Sequence, residues 1–324
     1  MYYLILLCVV ITGAECNKVN DPASTNTTNG GGTVTSGWKV HYNIVPSILF
    51  GVSFANENYG LAVGEQGIII RTTNDGNNWS VVNTNLSYWL KAVKYIDTNT
   101  ATAVGYNGTI LRTTNGGYNW EQQFAGTQAQ FNGVSFSDVN TGYITGIAGS
   151  IYRTESGGAG WINQPQVQLT MFGISFIDAV SGTVCGTDGN IYRTYNAGFE
   201  WIKCNSNTAF NMNSVAFVNA LTGVVAGNQG VILTTFDGGD SWNFRQTPVN
   251  NTLYGISFPS LGRITAVGGS GAIVSSTDWG ATWHKQYCTV AEDFYSVYYT
   301  DANHGYIVGS TGTVLTTTNG GEAY

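Results

Sequence analysis

Residues 131–161 read FNGVSFSDVNTGYITGIAGSIYRTESGGAGW, and this one stretch contains a full set of strand and turn signals. From Phe131 to Phe136 the side chains alternate, which puts Val134 and Phe136 on one face of a strand. Ser137-Asp138 and Thr141-Gly142 mark a turn. Tyr143 to Thr145 form a second strand. Gly146-Ile147-Ala148-Gly149 reads as a tight hairpin, where glycine supplies the positive φ the turn demands. Ser150 to Thr154 form a third strand, Ser156-Gly157-Gly158 turns the chain again, and a fourth strand begins at Trp161. Moving outward, tryptophan repeats the register: Trp79, Trp120, Trp161, Trp201, Trp242 and Trp283 are spaced by 41, 41, 40, 41 and 41 residues. Tyr324 and Trp38 extend the series by 41 residues at either end. Four short antiparallel strands in about 41 residues make one propeller blade. The repeats carry no helical periodicity. The expected fold is therefore all-β: a seven-bladed β-propeller over residues 38–324.

A single blade cannot bury its own two faces, so blades must stack around an axis. The chain stops at Tyr324, leaving the last unit without a fourth strand. Trp38-Lys39-Val40-His41-Tyr42 matches the fourth strands of other units, such as Trp79-Ser80-Val81-Val82. It is expected to pair with the third strand of the last blade around Val314 to Thr317, joining first to last and removing an edge.

The rest of the composition narrows function by exclusion. Only 10% of residues are charged, and the net charge is −7. Nucleic acid is excluded as a partner, since phosphate contacts need a basic face. Cys185, Cys204 and Cys288 in the body form no CxxC pair, and His41, His284 and His304 are scattered, so no metal site or cofactor is expected. Residues 1–16, MYYLILLCVVITGAEC, carry an apolar run too short to span a bilayer and read as a signal peptide. Gly13-Ala14-Glu15-Cys16 loosely matches a lipobox, with Cys16 as the lipidation candidate; ordinary cleavage after Ala14 and a buried N-terminal strand are the alternatives. Residues 17–37 are polar and rich in Gly, Thr and Asn, as in a flexible linker. The expected location is exported: periplasmic, outer-membrane-tethered or extracellular in a bacterium, with membrane contact only through a lipid on Cys16.

The turn before each tryptophan has the form Ser/Thr-x-Asp/Asn-x-Gly-x-x-Trp. Ser276 to Trp283 resembles the Asp-box, or BNR repeat, of sialidase-like propellers in full. Thr72 to Trp79 and Thr113 to Trp120 carry a Thr-Thr-Asn variant that resembles the photosystem II assembly and stability factor family, across roughly residues 38–324. The resemblance implies an exported, non-enzymatic propeller that binds another protein or protein complex, with a membrane-associated assembly intermediate as the family's partner. In bacteria it also implies a frequent lipid anchor. The turn itself reads as structural, its Asp or Asn accepting from nearby amides.

Two candidate sites follow. Arginine recurs at one repeat position, Arg71, Arg112, Arg153 and Arg193, replaced by Thr234, Ser275 and Thr316 in the later blades. These arginines would form a one-sided basic arc for an acidic partner, a surface the resembled family also carries. Alternatively they form structural salt bridges with Asp97, Asp138 and Asp178 in the turns of their own blades. On the opposite face, residues entering the innermost strands vary most: Tyr88, Trp89, Lys91, Gln130, Asn132, Asn211, Asn213, Tyr254, Glu292, Asp293 and Tyr295. Aromatics beside amides suit a glycan or peptide site, or else they plug the channel. An enzymatic alternative, glycan hydrolysis, would draw its carboxylates from Glu292 with Asp188 or Glu65. The Arg-Ile-Pro motif of sialidases is missing, and no motif selects a catalytic residue.

Overall fold

The computed structural model describes residues 25–27, 33–42, 44–164 and 167–322. They form seven four-stranded antiparallel sheets, six of them in sequential strand order. Blade one shows the pattern, with an innermost strand Leu49–Phe54, then Gly60–Gly64, Ile69–Thr72 and an outermost strand Ser80–Val82. The seventh sheet contains Phe294–Tyr299, Gly305–Gly309 and Val314–Gly321, and takes its outermost strand, Gly37–His41, from the front of the chain. Lys39 pairs with Thr316, Val40 with Leu315 and His41 with Val314, the register expected for closure. Trp38 is only 2% exposed, meets Tyr299 edge-on at 6.1 Å, and donates its indole N–H to Gln286 Oε1 at 3.0 Å. The signal segment, Cys16 and Tyr324 lie outside the described residues. Within the stretch read as a linker, Thr25–Thr27 pairs antiparallel with Thr33–Thr35.

Each blade is anchored by an aromatic at the end of its innermost strand. Phe54, Phe136, Phe176 and Phe217 take Trp79, Trp161, Trp201 and Trp242 edge-on at 6.0 to 6.2 Å. The preceding blade supplies the other wall in places: Tyr306 stacks on Phe54 at 3.6 Å and Tyr143 on Phe176 at 3.5 Å. Edge-to-face and stacked pairs of this kind add about 0.5–1.5 kcal/mol each beyond their buried area. In blades one, three, four, five and seven the second strand opens with a glycine that admits the ring, whereas blade two has Ala101 opposite Tyr95. A Cβ on Gly142 would lie 2.3 Å from the Phe136 ring.

The hairpins between second and third strands use two consecutive left-handed residues, as Ala148 (φ 51°) and Gly149 (φ 77°) show. Only the second position demands glycine, because a Cβ there would sit 2.0 Å from the Val167 carbonyl. The first is filled by Gln66, Asn107, Asp188, Gln229, Ser270 and Thr311 elsewhere, all at positive φ. The turns before the tryptophans are locally hydrogen-bonded. In blade one Gly76 N–H donates to Thr72 Oγ1 (3.1 Å) and Asn78 N–H to Asn74 Oδ1 (3.0 Å), while Trp79 Nε1 donates to the Gly76 carbonyl (3.0 Å). Blade six repeats this with Ser276, Asp278 and Trp283. There the Thr282 hydroxyl and amide hold the Asp278 carboxyl down at about 2. Cys185, Cys204 and Cys288 are free thiols, and burial pushes Cys185 up to about 12.

Candidate functional site

The ring has two unlike faces. One carries the turns that precede the tryptophans, the other the glycine hairpins and the mouth of the axial channel.

On the turn face the repeated arginines end the third strands, yet they lie in the clefts between blades. Arg71, Arg112 and Arg153 are 7%, 9% and 9% exposed. The expected pairing with Asp97, Asp138 and Asp178 does not occur. Asp97 Oδ1 accepts from the amides of Asn99 (2.7 Å) and Thr100 (2.8 Å), and Asp138 and Asp178 do the same in their own turns. Asn56 and Asn219 perform this task without any charge, so the acid caps a turn and does not serve the arginine.

The arginines reach into the next blade instead. Arg71 Nε donates to the Gly116 carbonyl at 2.6 Å, and its guanidinium lies 3.9 Å from the Tyr118 ring centroid. Arg153 faces Phe199 at 5.5 Å and pairs with Glu155; Arg193 pairs with Asp240 and reaches the Gly238 carbonyl at 3.4 Å. Arg263 pairs with Glu322. Tyr118, Phe199, Asp240 and Glu322 occupy one repeat position, and a partner 46 or 47 residues after Arg71, Arg153 and Arg193 was the signal available in the sequence. At Arg112 that position is Ala159. Arg112 donates to Thr102 Oγ1 (3.0 Å) and to the Val139 carbonyl (2.6 Å), and no ion pair holds it among the described residues. The cleft above it is an open cavity of about 640 Å³, bounded by Asn115, Gln123, Phe124 and Ala159, with Glu121 of the adjacent outermost strand also on its wall but not paired with the arginine. Phe124 is 73% exposed at its rim.

On the hairpin face the innermost strands surround a cavity of about 390 Å³. One register position from each blade forms its collar: Phe50, Lys91, Asn132, Phe172, Asn213, Tyr254 and Tyr295. The two amides serve the ring itself: Asn132 Nδ2 donates to the Met171 carbonyl (2.9 Å) and Asn213 Nδ2 to the Leu253 carbonyl (2.9 Å). Gln130 bonds Asn132, and Asn211 Oδ1 accepts from the Asp188 amide at 3.0 Å. Glu292 accepts from the Thr311 and Thr313 hydroxyls, and Asp293 from the Ser270 amide at 2.8 Å, so both fasten hairpins.

The aromatics come together. Tyr254, Tyr295, Phe50, Trp89 and Tyr106 form a continuous chain with successive centroids 5.2, 5.2, 5.5 and 5.3 Å apart. Tyr88 is exposed beside them. Lys91 lays its ammonium 3.5 Å from the Phe50 centroid, and burial lowers it to about 8 against the opposing pull of Glu65. Phe50, Phe172 and Tyr106 were not among the residues singled out in the sequence, although Phe50 and Phe172 share the register of Lys91.

Residues 72–209 and 250–318 match the family described as Photosynthesis system II assembly factor YCF48, which takes in more than half of the chain. The chain belongs to this family. Among solved structures, "YCF48 bound to D1 peptide" superposes with a TM-score of 0.74 at 19% identity, covering 91% of this chain and 100% of that one. YCF48 from Cyanidioschyzon merolae gives 0.73 at 20% identity, covering 86% and 98%. The WD40 propeller domain of Doa1 gives 0.68 at 14% identity, covering 83% and 92%. At these identities the likeness is one of fold. No curated protein matches the chain.

Proposed function

We propose that the chain is an exported, non-enzymatic propeller of the YCF48 family that docks an acidic segment of a partner protein, tethered to a membrane through a lipid on Cys16. The observation that carries this reading is the open cleft at Arg112. In the clefts of Arg71, Arg153 and Arg193, Tyr118, Phe199 and Asp240 stand at one repeat position of the next blade and close over the arginine, whereas Arg112 keeps only the Phe136 ring of the innermost strand at 5.1 Å. Ala159 leaves the same place vacant, so an acidic side chain supplied from outside would complete a charge-assisted contact. The basic arc is thereby narrowed from a continuous strip to one socket. The related propeller bound to a peptide makes a protein segment the partner class to expect. The carbohydrate alternative relies on Trp89, which packs between Phe50 and Tyr106, and on Tyr254 and Tyr295, which pack on each other. Hydrolysis would need Glu292, which is held by two threonine hydroxyls.

The test is cross-linked capture from the native host with wild type, Arg112→Met, Ala159→Tyr and Asp240→Asn. The expected result is a partner retained by Asp240→Asn and lost by the first two variants. Undiminished recovery with Ala159→Tyr would overturn the reading.

A further inference from the structure

The cavity at the channel mouth is chemically lopsided. Its collar carries a single ionisable cation, Lys91, and no carboxylate lines it. Lys91 has no ion pair among the described residues; only the Phe50 ring lies against its ammonium. A second lysine of the same strand, Lys94, is buried deeper toward Tyr298, with its ammonium 5.9 Å from that ring and no ion pair either. A chain with net charge −7 thus holds two lysines without an ion pair on one innermost strand, and the opposing charge felt by Lys91 is that of Glu65, which lies outside the collar. Desolvating a cation without a counter-charge is costly, and the cost is recovered when an anion enters.

The walls decide which anion. Phe50, Phe172, Tyr254 and Tyr295 present aromatic surface, and Val52, Val93 and Ile256 lie beneath them. The amide donors of Asn132 and Asn213 are already committed to backbone carbonyls. A phosphate or sulfate would therefore set its multiple charge against the single cation Lys91, with only the hydroxyls of Ser214, Ser296, Tyr254 and Tyr295 as further donors among the lining side chains. A monoanion with an apolar body would place its charge on Lys91 and its body against the rings. A volume of about 390 Å³ lies within the range of small-molecule sites and suits a ligand of amino-acid size.

We propose that the axial cavity is a binding site for a hydrophobic monocarboxylate, with Lys91 as the counter-ion and Phe50, Tyr254 and Tyr295 as the walls that receive its apolar body. The same chemistry occurs in a free aromatic or aliphatic acid and in the C-terminal residue of a peptide ending in an apolar side chain. This site is on the opposite face from the Arg112 cleft and does not depend on it.

The experiment is a calorimetric and NMR titration of the full chain at pH 7 with 3-phenylpropionate and with its neutral isostere 3-phenylpropanamide. A peptide ending in phenylalanine, as free acid and as C-terminal amide, identifies the source. The acids are expected to bind saturably, with shifts confined to the collar residues, and each amide at least about tenfold more weakly than its acid, the difference one lost ion pair of about 1.4 kcal/mol would make. Lys91→Met keeps the aliphatic stem on Phe50 and should lose a similar factor, while Lys203→Met, at an exposed position of an outermost strand, should leave the titration unchanged. Equal binding of acid and amide to the wild type would overturn the proposal even if Lys91→Met failed to fold. So would the absence of saturation by any acid at millimolar concentration. Binding of the peptide acid alone would assign the site to a chain terminus, and binding of the free acid alone to a small molecule.

Discussion

Two adjacent clefts on the turn face are built from the same repeat and differ by one side chain. Between blades one and two, Arg71 is covered by Tyr118 at 3.9 Å. Between blades two and three, Arg112 has Ala159 at the corresponding place and an open cavity above it. Both arginines are nearly buried and both donate to a carbonyl of the next blade. The repeat therefore uses arginine first as a staple between blades. A binding function becomes available only where the covering residue is missing. A count of arginines on one face could not have distinguished these roles.

Variants at each cleft test this difference. The largest effect is expected from Arg71→Met, which removes a charge-assisted hydrogen bond and a cation–π contact and should cost about 2–4 kcal/mol in urea unfolding. Arg112→Met loses its hydrogen bonds and a looser ring contact, with Phe136 at 5.1 Å against Tyr118 at 3.9 Å for Arg71, and should cost roughly 1.5–3 kcal/mol, somewhat less than its neighbour. If the two variants are equally destabilised, Tyr118 contributes nothing and the contrast fails. Tyr118→Ala should cost about 1 kcal/mol and, in a double-mutant cycle with Arg71→Met, show coupling of similar size. Ala159→Tyr should raise stability by about 0.5–1 kcal/mol by closing the open cleft. A loss of stability there would mean that the cleft cannot admit a ring.

The smallest effect is electrostatic. The Asp97 carboxyl is below its usual value: partial burial opposes the shift, the Asn99 and Thr100 amides produce it, and the Arg112 charge adds to it. Asp138 is also lowered, led by the Asn140 and Thr141 amides, and Arg153 is not among its main causes. Arg112→Met should therefore raise Asp97 in a carbon-detected NMR titration, and Arg153→Met should leave Asp138 unmoved. Because the folded values are depressed, the stability these carboxylates provide is present above about pH 4 and lost as pH falls through the folded values.

Blade number, strand order and ring closure were legible in the sequence because each depends on features repeated along the chain. Tryptophans at 40- or 41-residue intervals, glycine hairpins and the Trp38–Tyr42 match are one-dimensional signals, and stacking against like neighbours converts them directly into a ring. The arginine partners were misassigned for a related reason: the acid and the arginine of one blade share a face and occur together in blades two to four, and that co-occurrence suggested a pair. The structure turns the arginine outward into the neighbouring blade, since a third-strand terminus borders the interblade cleft, and leaves the acid to cap its own turn. The channel site shows the same division. Lys91, Tyr254 and Tyr295 could be picked out as variable residues on one face. That Phe50 completes their aromatic chain, that Asn132 and Asn213 are consumed by the ring, and that Lys91 rests on an aromatic ring and makes no ion pair were decided by tertiary structure alone. Sequence repeats determine what each blade is; only the closed ring determines what each side chain faces, because the facing atoms belong to another repeat.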